Sequence, residues 1–136
     1  MKKIEWKVGD WCFCEFKLQQ IKRVEPDGSV HEVSDGNFSH GGDLTDRCYP
    51  LDMKVKLISD HVWYWRDAFH KLNHNSLNHP DLNRELIRRW CDMCDNREND
   101  EKWAELRDQL NEFGDGVIKK VRDVKSETVE GVRLYR

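Results

Sequence analysis

A chain of 136 residues with 36% charged and 38% apolar side chains is the right size for one compact domain, and it holds no apolar run long enough to cross a membrane. Its net charge of −3 leaves no basic field for general nucleic-acid binding, and its six Trp exclude a disordered chain. Five Cys is an odd number and no stretch reads as a leader peptide, so reduced thiols in the cytoplasm are the expectation.

Residues 2–7 alternate like a short strand with Ile4 and Trp6 on one face, and Gly9-Asp10 turns the chain. The stretch over 8–33, VGDWCFCEFKLQQIKRVEPDGSVHEV, then reads as a bent hairpin on which the rest is built. Its first run sets Cys12, Cys14, Phe16 and Leu18 on one face, with Trp11, Phe13, Glu15 and Lys17 on the other. Past Gln19-Gln20 the apolar position moves to Ile21, which a bend or bulge explains. Asp27-Gly28 suits a tight reversal into Val30 and Val33, and Asp35-Gly36 turns again. The Gly-rich loop over 37–46 precedes an extended stretch over 48–57 that Pro50 confines to an edge.

At Ser59, an N-cap residue type, the period changes. Val62, Trp65, Phe69 and Leu72 recur at helical spacing and predict a first helix over 60–72. A polar link over 73–78 leads to Pro80, which opens a second helix with Leu82, Leu86, Ile87, Trp90 and Cys94 as its stripe. A third helix over 98–113 carries Trp103, Leu106, Leu110 and Phe113, and Gly114 stops it. Val117, Val121 and Val124 suit either a further helix or a strand; strands are the expectation, with 129–135 as a terminal strand returning to the sheet. The order predicts the α+β class in a single domain over 1–136, with a β-rich part over 1–57, helices over 58–114 and closing strands over 115–136.

The run VGDWCFCEF, followed by Ile21, Pro26-Asp27-Gly28 and Val30, resembles the small SH3-like barrels, a superfold that includes KOW and Tudor modules. The resemblance covers residues 4–57 and implies a bent antiparallel sheet or barrel packed against two or three amphipathic helices. Such barrels bind peptides, modified side chains, nucleic acid or nothing, so the likeness implies no function, and no aromatic-cage or PxxP-binding residue carries over by position. In its compact, Trp-rich, acidic style the chain also resembles phage or prophage accessory proteins of intestinal bacteria.

Cys12-x-Cys14 on a strand and Cys91-x-x-Cys94 on a helix together offer four sulfurs for a structural zinc, although a Cys on an apolar stripe commonly packs as a small hydrophobe. Cys91-x-x-Cys94 lies at the C-terminal end of its helix, where the helix dipole disfavours a thiolate and redox catalysis. On the first helix Trp63 projects away from the core stripe and shares an outer face with Asp67, His70 and, if the helix continues, His74, a surface for a partner or a divalent metal; the alternative is that Trp63 lies under the terminal strand or beside the barrel. Ser39, His40 and Asp43 are hydrolase residue types, but one loop cannot align them as separate rigid elements would. The expectation is a small non-enzymatic protein without a cofactor, binding another protein through Trp63, Tyr64, Asp67 and His70 and through the loop bearing Asn37, His40 and Asp43. A phage-encoded modulator of a host enzyme is its concrete form. The alternatives are a metal- or thiol-dependent enzyme using the Cys and His sets, and single-stranded nucleic-acid binding by Trp11 and Phe13.

Overall fold

The computed structural model describes residues 4–35, 42–73, 80–122 and 128–133. They form an α+β arrangement in which a curled four-stranded antiparallel sheet is followed by three helices. The chain divides into two compact units, Met1–Ser59 and Asp60–Arg136.

In the first unit the predicted long strand is instead a tight hairpin. Strand β1 spans Trp11–Cys14 and β2 spans Lys17–Val24, with Cys14 opposite Lys17, so Glu15 and Phe16 form a two-residue loop. Both have positive φ, 49° and 81°, the backbone that hairpin twist demands and that side chains normally resist. The turn reverses the facing of the chain. Cys12 and Cys14 are buried before it, whereas Gln19 and Ile21 are buried after it and Leu18 is exposed. The register change read near Gln19 therefore originates at Glu15-Phe16, with a further irregularity where β2 pairs with β3 between Ile21 and Val24.

Strand β3 spans Val30–Val33, reached through the Asp27-Gly28 reversal. Gly28, at φ 90°, donates its N–H to the Glu25 carbonyl at 2.8 Å. Strand β4 is only Cys48–Tyr49, and the sheet order is β3-β2-β1-β4. Opposite the β1 side, the backbone of Leu44 donates to the Val30 carbonyl at 2.7 Å, and the Val30 N–H donates to Thr45 Oγ1 at 2.9 Å. These bonds draw the approach to β4 back onto β3, giving a half-barrel consistent with an SH3-like fold. Trp6, Cys12, Cys14, Ile21, Val30, Val33, Leu44 and Cys48 fill its core, with Ile4 and Val24 beside them. Residues 4–7 reach that core without forming the expected strand.

Helix α1 spans Met53–Asn73 and so begins before the position expected for it. Asp52 supplies the cap, its Oδ1 accepting the Val55 N–H at 2.8 Å. The stretch over 48–57 is thus extended only at β4. Val55 and Ile58 suggest a strand by their branching, but their burial follows a helical spacing with Val62. Ser59 lies inside α1, fully buried, and its hydroxyl donates to the Phe16 carbonyl at the strained turn.

In the second unit α2 spans Pro80–Asp95 and buries Leu82, Leu86, Trp90, Met93 and Cys94. Helix α3 spans Asp100–Arg122, and Asn99 caps it by accepting the Lys102 N–H at 3.0 Å. Gly114 does not end α3; the helix passes through it, and the Trp65 ring of α1 lies against that position where a Cβ would otherwise be. Val117, expected in an extended stretch, is a buried position of the same helix. Strands β5 (Thr128–Val129) and β6 (Val132–Arg133) form a separate hairpin around Glu130-Gly131. They pair with each other and do not join the four-stranded sheet, which corrects the expected return of a terminal strand. Arg89 of α2 ties this hairpin down by an ion pair to Glu130, its guanidinium also resting 4.3 Å from the centre of the Phe113 ring. Among the described residues no helix is long and apolar enough to cross a membrane.

Candidate functional site

Helix α1 has one face closed and one face open. Val62, Trp65 and Phe69 are buried at a spacing of three and four, and Trp65 stacks on Phe69 at 5.9 Å between ring centres. Trp63 is 42% exposed and Tyr64 63% exposed. At about 100° per residue, Trp63 shares a stripe with Asp67 and His70, and Tyr64 flanks it. Arg66 sits 5.1 Å from the centre of the Trp63 ring, and Asp67 pairs with Lys71 at 3.0 Å. Tyr64 meets Trp65 edge-on at 5.3 Å, which steadies its ring while leaving most of it in water. The result is a pair of aromatics ringed by charges of both signs.

Asp43, from the other expected surface, has a structural task. Its Oδ1 accepts the Thr45 N–H at 2.9 Å and also the Thr45 hydroxyl, and this hydroxyl is the group that receives Val30. The Thr45 bonds hold the Asp43 carboxyl below the usual carboxylate range. Asn37, Ser39, His40 and, beyond α1, His74 lie outside the described residues.

The structure brings together two groups that were not combined on sequence grounds. Ser29 Oγ lies 3.0 Å from His31 Nε2 and donates to Asp27 Oδ1 at 2.5 Å. The order is wrong for nucleophilic catalysis, because the carboxylate takes the hydroxyl proton instead of orienting the imidazole. The second group is Cys12, Cys14 and Cys48, which meet in the sheet core. The signal for Cys48 was available in the sequence, since it sits just before Tyr49 and Pro50 at the start of a stretch read as extended, but nothing gave its register. Cys94 is fully buried on the α2 stripe and Cys91 half-buried at its margin. Among the described residues no group of three or more His, Cys, Asp or Glu is arranged to hold a metal ion. A cleft of about 30 Å³ between α2 and α3, lined by Arg88, Arg89, Asp92, Met93, Leu106 and Gln109, has room for about one water and not for a substrate.

His61, also on α1, is half-buried, and its Nε2 has no hydrogen-bond partner among the described residues. Burial pushes its pKa down and the Arg107 charge adds to this, against a hydrogen bond to Asn111 that works upward. The unfolded chain, with an ordinary His near 6.5, therefore takes up the proton first as pH falls. Neutral His61 contributes its full stability above about pH 6.5, and this is lost as pH drops below that value toward the lowered folded pKa. Urea midpoints measured between about pH 7.5 and pH 5 should fall in the wild type more steeply than in His61→Phe; parallel curves would show that His61 is not the sensor.

Comparison with known proteins gives no match to a family model, to a curated protein or to a solved structure.

Proposed function

We propose that this protein is a small non-enzymatic interaction module that docks on another protein through the outer face of α1. Trp63 and Tyr64 are the apolar anchors, with Asp67 and His70 as the polar surround. The observation that carries this reading is the exposure of two large aromatics on a helix whose opposite face is closed, since rings of this size are mostly buried and interfaces favour them as anchors. The loop over 37–46 serves as a second contact. The specific form is an SH3-like module of the KOW or Tudor kind, a reading that rests on the half-barrel, working in the cytoplasm, a reading that rests on five cysteines outside any disulfide, as a phage-type modulator of a host protein.

The test is capture from host extract by wild type and by Trp63→Ala, with the fold of each checked by urea denaturation. Trp63→Ala is expected to lose about 1 kcal/mol or less of stability, because the ring is only part-buried, while losing a discrete partner. A variant that unfolds, or one that retains every partner of the wild type, would refute the assignment.

A second reading rests on the first unit. Trp11 is 50% exposed, and Phe13, on the same face of β1, is half-buried opposite Leu18. Such a face can stack on unpaired bases. Oligothymidylate should then quench Trp fluorescence at low salt, and Trp11→Ala should abolish the quenching; no quenching by the wild type excludes this reading.

A further inference from the structure

Cys14 on β1 stands directly opposite Cys48 on β4, and Cys12 is two residues away on the same face of β1. The Cys12 thiol hydrogen-bonds to Cys48, and Cys48 hydrogen-bonds to Cys14. Cys12 and Cys14 have no exposed surface, while Cys48 retains 6%. We propose that Cys48 is a redox modification site at which a low-molecular-weight disulfide such as oxidised glutathione generates a Cys14–Cys48 bond, locking β4 to β1.

Register selects the pair. Residues directly opposed in an antiparallel ladder have Cα atoms about 4.5–5.5 Å apart, inside the disulfide range of about 4.4–6.8 Å. The diagonal neighbour is at about 7–8 Å, so Cys12 reaches Cys48 only by leaning its side chain and cannot bridge it without moving backbone.

Access selects the order of events. Cys12 is held protonated by its bond to Cys48 and by burial. Cys48 is pushed up as well: the bond from Cys12 works downward, but the bond to Cys14, burial and the nearby Glu15 carboxylate outweigh it. Oxidation therefore proceeds through brief opening of β4, a two-residue strand at the sheet edge, and not by attack within the closed core. Once open, Cys48 gives its proton to water and attacks the small disulfide, forming a mixed disulfide and releasing one thiolate, which takes up a proton. Cys14 then loses its proton and attacks the Cys48 sulfur, expelling the second small thiolate, which is protonated in turn. Two protein thiols and one small disulfide become one protein disulfide and two small thiols.

The experiment is incubation of the folded protein with oxidised glutathione, acid quenching, alkylation of the remaining thiols and non-reducing peptide mapping. The expected result is loss of two of the five alkylatable thiols and recovery of a linked Cys14–Cys48 peptide. Cys14→Ala should instead retain glutathione on Cys48; if that variant does not fold, the wild-type map decides by itself. A Cys12–Cys48 or Cys91–Cys94 link alone, a stable mixed disulfide in the wild type, or five thiols still reduced when a urea-unfolded control oxidises would each overturn the proposal.

Discussion

Gly114→Ala is expected to destabilise the protein by about 2 kcal/mol or more, against the usual sign for such a change in a helix. On an open helix face, replacing Gly with Ala gains about 1 kcal/mol by reducing backbone freedom in the unfolded chain. At Gly114 an added Cβ would fall 2.5 Å from Trp65 Cδ2 and 2.6 Å from Cε2. The ring has no easy retreat. It stacks on Phe69, meets Tyr64 edge-on, and donates from Nε1 to Asn111 Oδ1 at 3.2 Å. Any movement that admits the methyl gives up part of this packing or forces the Trp65 segment and α3 apart. Urea denaturation of the single variant, and of the same change in a Trp65→Leu background, separates packing from propensity. The cost should shrink or reverse sign once the smaller, more pliable leucine side chain has replaced the indole; an equal cost in both backgrounds would show that Trp65 is not the obstacle.

The same glycine explains one limit of reading this chain by pattern. A Gly after a run of apolar residues at helical spacing ordinarily marks a C-cap, and only the Trp65 ring, far earlier in the chain, reveals that Gly114 is a contact surface. Local signals did suffice where they were unopposed. Pro80 opens α2, Leu82, Leu86, Trp90 and Cys94 of the expected stripe are buried while Ile87 is only half-buried, and Asp27-Gly28 reverses the chain into β3. They failed at Glu15-Phe16, where no Gly or Asn announces a hairpin. Two ordinary side chains are held at positive φ by several contacts acting together: Phe16 is buried, and bonds from Arg47 and Ser59 converge on the same turn. The outer face of α1 was legible, since the projection that put Trp63 off the core stripe matches its exposure. The thiol trio was not, because a two-residue strand such as β4 has no period from which register could be read.

Arg47→Ala should lower stability by about 2–4 kcal/mol, the second large effect, because it strands the Glu15 carboxylate. Glu15 is 1% exposed, its Oε1 accepts from Arg47 Nη1 at 2.7 Å, and its Oε2 has no hydrogen-bond partner among the described residues. A charge so placed has few other sources of compensation, and removing the guanidinium leaves it in a medium that solvates it poorly. The loss falls short of the full penalty for a wholly interior pair because Arg47 is itself partly in water, and solvent can follow the vacated path. Glu15→Gly supplies the complementary variant: it removes the carboxylate and suits the positive φ of 49° at the first turn position. In that background Arg47→Ala should cost less than about 1 kcal/mol, giving a coupling energy that belongs to the pair and not to either residue's packing. Equal losses from Arg47→Ala in both backgrounds, measured by urea unfolding near neutral pH, would mean that the turn is held by the Phe16 burial and the Ser59 bond without the ion pair.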